Sequence, residues 1–215
     1  AANKVDAVVL DLRATPESAD YALAAAVAAR FVAKGVPLFS LSDAEGRAAK
    51  TFASEGPQVF SGAVVIVADE SAAGAAEALA AALRRNVRAL LVGTATSGRA
   101  VEFSVVPLGK GQNLRLAVAE VRVDGLPAIY PRGLRPDLEV AQPAEVRENV
   151  LADGLEKGAS PFVFERERAQ MNEAALVAGT NPEIDAEEPA EGLVDRPLQR
   201  AVDLVTALRI FRDKN

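Results

Sequence analysis

Apolar positions in this chain come in short dense runs divided by polar, turn-forming stretches. Gly62-Ala-Val-Val-Ile-Val-Ala68 is a continuous, largely β-branched run, and Val87-Arg-Ala-Leu-Leu-Val92 reads as a second buried strand, closed by Gly93. Unbroken runs of this kind suit strands buried on both faces rather than strands with a wet side. Between them Ala72 to Leu83 is almost pure helix former, with Arg84-Arg85 where a helix end favours positive charge. Asp69-Glu70-Ser71 offers capping oxygens ahead of it. The stretch predicts strand, helix, strand: a βαβ unit with a right-handed crossover.

The flanking pattern extends this reading. Val5–Leu12 is a first strand and Ala19–Ala33 an Ala-rich amphipathic helix stopped by Lys34-Gly35. Val36–Leu41 is a short strand, and Ser42–Pro57 is polar, read as loop with one helical turn. Ala100–Leu108 and Leu114–Arg122, the latter alternating with period two, form a hairpin over Gly109–Asn113. Asp124–Tyr130 reads as a turn and short strand. Helices are expected over Pro143–Leu155, over Glu165–Val177, whose Ala169, Met171, Ala174, Ala175 and Leu176 fall mostly on one side, and over Asp195–Phe211. Asn181–Glu191 is acidic and proline-punctuated, a loop or linker. The pattern contains no internal repeat.

Composition narrows the function classes. At 215 residues and 50% hydrophobic content the chain can bury a sizeable core and is not disordered over most of its length. A net charge of −6 and a pI near 4.9 argue against a nucleic-acid partner, because phosphate binding needs a basic face. No uninterrupted apolar run approaches the roughly 20 residues of a membrane-spanning helix. The chain has no Cys and no His, which removes thiol catalysis, His-based proton transfer and Cys/His metal sites. A carboxylate-only metal site has no supporting spacing, and no cofactor is expected. The chain begins Ala1-Ala-Asn-Lys4 without a signal-peptide pattern, as a mature or trimmed chain would.

The central stretch resembles the core of the carboxyl-terminal processing (tail-specific) serine peptidases of the ClpP/crotonase-like superfold. Glu77, Arg88-Ala89, Val92-Gly93, Thr96 and Gly98 match that family's pattern of a helix glutamate followed by a Gly-rich loop. Further blocks agree in order: Asp11, Leu12, Arg13 and Pro16; then Pro107, Leu108, Gly111, Leu114, Leu116 and Ala119; then Gly133-Leu-Arg-Pro-Asp137 to Val140. The resemblance implies an α/β fold: a core of repeated β-α-β units over residues 1–140 with a β-hairpin. A partly helical insertion with an acidic loop would follow over 141–194, and a C-terminal helix over 195–215 would pack on the core. No segment has the length or glycine pattern of the PDZ module that often precedes this core, so that module is expected to be absent or to lie outside this chain. The exported location of many members gives an expectation of a periplasmic or exported protein.

The same resemblance places the family's chemistry on positions that lack it. The nucleophilic serine falls on Gly74 and the general-base lysine on Arg99, 25 residues apart as the family spaces them. The glutamine that orients the lysine falls on Phe103, and Glu102 beside it points to the other face of a strand. The glycines of the oxyanion loop are replaced by Glu17 and Ser18, and Ala75 follows the empty nucleophile position. Glycine carries no nucleophile, and arginine stays protonated at any ordinary pH. Glu17 also reads as the first residue of the next helix, where an acid is favourable.

Three functions follow as expectations. The first is a pseudo-peptidase that binds a peptide or protein partner without cutting it. The second is an active hydrolase with a relocated nucleophile, Ser71 or Ser97, although Ser71 reads better as a helix cap and Ser97 as a turn residue; no lysine lies beside either, and Glu70 and Glu77 are the closest candidate bases. The third is a crotonase-like acyl-CoA enzyme using Glu77 and Glu102 as its acid–base pair. The Ala-rich helices and the unmatched C-terminal region leave a homo-oligomer open.

Overall fold

The structure, a computed structural model, describes residues 5–163 and 193–213. In chain order the elements are β1 (Ala7–Asp11), α1 (Tyr21–Ala28), β2 (Pro37–Ser42), β3 (Ala48–Ala53), β4 (Ala63–Ala68), α2 (Ala75–Val87), β5 (Leu90–Gly93), β6 (Val101–Gly109), β7 (Gln112–Arg122), β8 (Leu138–Glu139), α3 (Ala144–Lys157), a single 3-10 turn at Ser160–Phe162, and α4 (Arg196–Asp213). They divide into two compact units: one runs through Ala141 and resumes at Arg200, and the other is Gln142–Gln199. The proposed helix over Glu165–Val177 and the acidic loop over Asn181–Glu191 lie outside the described residues.

The β-branched run becomes the buried parallel strand β4, whereas the second predicted strand starts later than expected: Val87 ends α2, Arg88 takes a left-handed C-cap conformation at φ +56°, and β5 begins at Leu90. β1, β4, β5 and β8 form a parallel sheet in the order β1-β4-β5-β8. Val64 to Ala68 are all buried, so both faces of β4 are covered, as a continuous apolar run requires. Val64, Ile66 and Ala68 share one core cluster with Leu79 and Leu83 of α2 and with Leu38 and Leu41 of β2. The second sheet is antiparallel, in the order β3-β2-β7-β6. Helix α2 touches β4 and β5 of one sheet and β2 of the other, and α1 packs on α2. Its alanines, buried at Ala78, Ala80, Ala81 and Ala82, permit that close approach from several sides.

Three further expectations are corrected. Helix α1 ends at Ala28 rather than Ala33. The carbonyl of Arg30 accepts from Val59 N and Phe60 N, and that of Phe31 from Gln58 Nε2, so the next helical turn loses its acceptors to the 58–60 segment. Phe31 also meets Phe60 edge-on at 5.9 Å. Residues 48–53 are a strand, not loop: Asp43 Oδ1 accepts from Glu45 N and Arg47 N and closes a hairpin onto β2. This strand was hidden because it lies at a sheet edge and buries only Phe52, which stacks on Phe39 at 4.8 Å. The short strand expected within Asp124–Tyr130 does not form.

β6 and β7 make an arm. β2 covers β7 only from Glu120 to Arg122, while the β6–β7 pairing continues to Gly109↔Gln112. On one face of that arm Val106 lies opposite Leu114 and Ser104 opposite Leu116.

In the second unit, Asp195 caps α4: its Oδ1 accepts from Leu198 N at 3.1 Å, and its own N–H reaches Phe162 O.

Ile66 is fully buried at the centre of the parallel sheet. Ile66→Ala is expected to lower stability by about 2–5 kcal/mol, read from urea unfolding, whereas Leu108→Ala on the exposed arm should change it by under about 0.5 kcal/mol.

Candidate functional site

The site forms where the start of α2 meets two loops, 12–20 and 94–99. Its anchor is Glu77, which is fully buried. A buried carboxylate is tolerated only when hydrogen-bonded, and Glu77 has five donors. Its Oε2 accepts from Gly74 N (3.2 Å), Arg99 N (2.8 Å) and Ser97 Oγ (3.3 Å); its Oε1 accepts from Gly98 N (2.7 Å) and Thr96 Oγ1. Thr96 Oγ1 in turn accepts from Leu134 N at 2.8 Å. One side chain thus caps α2 and fixes the whole Gly-containing loop.

This arrangement corrects the expected helix start. The sequence offers Asp69-Glu70-Ser71 as caps and Ala72 as the first helical residue. Instead Glu77 reaches back to Gly74, and the helix begins at Ala75. Ser71 Oγ donates to Asp69 Oδ1 and accepts from Ala14 N at 3.0 Å, so Ser71 ties two loops together rather than capping α2. Ser97 Oγ donates to Glu77 and accepts from Arg99 N at 3.3 Å.

Gly74 has φ +59° and ψ −117°, a conformation nearly reserved for glycine. A Cβ there would lie 2.4 Å from the Ser18 carbonyl oxygen. That oxygen accepts the Ala75 N–H at 2.8 Å, and Ser18 and Gly74 form an isolated parallel bridge. The Ala75 amide is therefore already spent on the chain's own backbone. Gly98, at φ +71°, is held equally close: a Cβ would meet Pro131 O at 2.3 Å.

Glu17 is not the start of a helix. Asp20 caps α1, its Oδ1 accepting from Leu23 N at 2.9 Å, and Glu17 stays in the preceding loop. There its Oε2 pairs with Arg99 Nη2 at 3.4 Å and its Oε1 with Arg115 Nη2 at 3.3 Å. The Arg115 guanidinium lies over the Phe103 ring, 3.7 Å from its centroid. Glu17, Arg99 and Phe103, three of the positions singled out from sequence, thus meet in one cluster, and Gly74, Ala75 and Ser18 meet beside it at the start of α2. Sequence reasoning missed Arg115, 98 residues from Glu17 along the chain. The available signal was register: Val105 pairs with Arg115 and Phe103 with Ala117, so Phe103 and Arg115 share a face of the arm. Glu102 lies on the opposite face of β6.

Tyr21 was also missed. It is buried, its hydroxyl donates to Val101 O at 2.8 Å, and its ring meets Phe39 edge-on. Its pKa is raised above the ordinary tyrosine value, first by burial and then by the carboxylates of Glu77, Glu102 and Glu17.

An acid–base pair of Glu77 and Glu102 is corrected too: Glu77 is sealed and committed to the loop, while Glu102 is exposed on β6. Among the described residues no group of three or more acidic, His or Cys side chains is gathered to hold a metal, and no helix is long and apolar enough to cross a membrane.

A parallel sheet, a helix capped by a buried glutamate and a Gly-containing loop folded onto that helix define an α/β domain of the processing-peptidase class. The family description for peptidase family S41 matches residues 1–140, and the chain belongs to that family. It is 28% identical over 142 residues to a carboxy-terminal-processing protease of Bartonella bacilliformis, covering 66% of this chain and 32% of the relative. It is 32% identical over 94 residues to a carboxyl-terminal-processing protease of Synechocystis, covering 44% of this chain and 22% of the relative. Among solved structures, a photosystem II D1 C-terminal processing protease superposes with a TM-score of 0.58 at 25% identity, over 73% of this chain and 39% of that one. The chain spans under a third of each of these two curated relatives.

Two outcomes are expected. Glu77→Ala strands the buried donors of Gly74, Thr96 and Gly98 and leaves the part-buried Arg99 N–H without its acceptor. It should cost about 3 kcal/mol or more, summing penalties of roughly 1–3 kcal/mol for each donor left without water. Urea unfolding checks this, with faster amide exchange at Gly98 and Arg99. Tyr21 supplies a pH test. A phenol held neutral in the fold stabilises it fully below the unfolded tyrosine pKa near 10, and that contribution falls as pH climbs above it. Wild type should therefore lose stability more steeply above pH 10 than Tyr21→Phe, measured by unfolding from pH 8 to 11.5.

Proposed function

We propose that this S41 domain holds a peptide or protein partner without cleaving it. The observation that carries the reading is the Ala75 amide, bonded at 2.8 Å to the Ser18 carbonyl oxygen. Acyl transfer needs backbone donors aimed at the oxygen that becomes negative in the transition state. Here the donor beside the empty nucleophile position is satisfied by the chain itself. Position 74 has no hydroxyl, and Arg99 has a cation that does not accept a proton. Glu17 adds a fixed negative charge to the loop that would otherwise stabilise one.

The relocated-nucleophile reading has one observation in its favour: Ser71 Oγ is hydrogen-bonded to the Asp69 carboxylate. The same carboxylate oxygen also accepts the Ser71 N–H at 2.9 Å, so this contact reads equally as a turn closed by Asp69. Ser71 Oγ also accepts the Ala14 N–H, which draws on the lone pairs an attack would use.

The purified chain is expected to retain a reduced, unfolded test protein and leave it uncut over hours, with Ser71→Ala behaving identically. Cleavage abolished in Ser71→Ala would establish the relocated nucleophile instead. The double variant Gly74→Ser/Arg99→Lys is expected to stay inactive, because the new Cβ collides with the Ser18 carbonyl and the donor amide stays occupied. Recovered proteolysis would show that the two side chains alone were missing.

A further inference from the structure

The Glu17–Arg99–Arg115 cluster has a composition that its own contacts do not exhaust. Two guanidiniums share one carboxylate, each through a single oxygen. Both ion pairs, at 3.3 and 3.4 Å, are longer than the roughly 2.7–2.9 Å of a well-formed charge-assisted bond. The Arg99 and Arg115 side chains are 51% and 58% exposed. A guanidinium carries five N–H donors in a rigid fork suited to carboxylates, and each of these directs a single Nη at Glu17. The Arg115 plane is held against the Phe103 ring, which orients its fork.

We propose that Arg99 and Arg115 form a receptor for a carboxylate of the bound partner, and that Glu17 is its resident occupant in the empty state. Glu17 sits in a loop rather than a helix, and its two oxygens span the two guanidiniums as an incoming carboxylate would. The arriving group takes over the free donors and displaces Glu17. Exposed ion pairs of this kind cost little to exchange. This inference rests on the partner-binding reading above and specifies its ligand as a carboxylate-bearing chain. Two sources present the same chemistry: the C-terminal carboxylate, and an Asp or Glu side chain within the peptide.

The test uses the whole chain immobilised and three pools of randomised nonapeptides, all N-terminally acetylated. One pool has free C-termini and no acidic residue. The second is the same pool amidated. The third is amidated with one glutamate at the last position. The free-carboxylate pool should be retained about tenfold better than the plain amide. Retention of the third pool at the level of the first assigns recognition to any carboxylate, and its loss assigns it to the chain end. Arg99→Gln and Arg115→Gln should each remove most of the preference for the free-carboxylate pool over the amide pool. Glu17→Gln should strengthen carboxylate binding several-fold, an effect a merely structural loop residue would not give. Equal retention of acid and amide pools, or weaker binding in Glu17→Gln, overturns the proposal. If an unfolded test protein is still retained in that case, the partner-binding reading stands and only the carboxylate receptor falls. If neither peptides nor unfolded protein is retained, both fall.

Discussion

The buried carboxylate of Glu77 sets the geometry of everything around it. It is one residue with five donors, drawn from the start of α2 and from the loop that follows β5. Those donors come from segments some 20 residues apart, so the carboxylate closes the βαβ unit on itself. Through Thr96 the same network reaches Leu134 and positions the segment leading to β8. Asp137 completes that edge: its Oδ2 accepts from Leu91 N at 2.9 Å while Oδ1 pairs with Arg84 of α2. The S41 scaffold is thereby closed, with Gly98 permitting the loop's close approach to the Pro131 carbonyl.

Around Glu77 the neighbouring loop is tied down by its own contacts: Gly74 lies against the Ser18 carbonyl, and the Arg99 guanidinium is paired with Glu17. The Ser18–Ala75 bond and the Glu17 ion pairs fasten the same short loop at two adjacent residues, and Ala14 fastens it again to Ser71. A loop so held is ordered before any ligand arrives, which lowers the cost of binding one.

Much of the core could be read from the chain because its physics is local. The run 62–68 announces a buried strand through continuous apolarity, and the alanines after it announce the helix, but Val87 and Arg88, which read as the start of the next strand, belong to the helix end. The helix start could not be read, because it depends on Glu77 bending back to Gly74 and on loop donors about 20 residues away. β3 escaped because an edge strand with one buried side chain leaves almost no pattern. Glu17, Arg99 and Phe103 were legible as departures from a resemblance, but their meeting was not. It requires Arg115, which only the register of the β6–β7 arm brings to Phe103. Long-range polar contacts leave no periodicity in sequence, whereas packing does.

The most direct test of the central claim, that no serine in this site is activated, is covalent labelling with a fluorophosphonate, which phosphonylates nucleophilic serine hydroxyls. The account expects the intact mass to stay at that of the unmodified 22.4 kDa chain after prolonged exposure to the folded protein. Stoichiometric labelling that maps to Ser71 or Ser97, and is lost when the chain is first unfolded, would contradict it and make the domain a hydrolase.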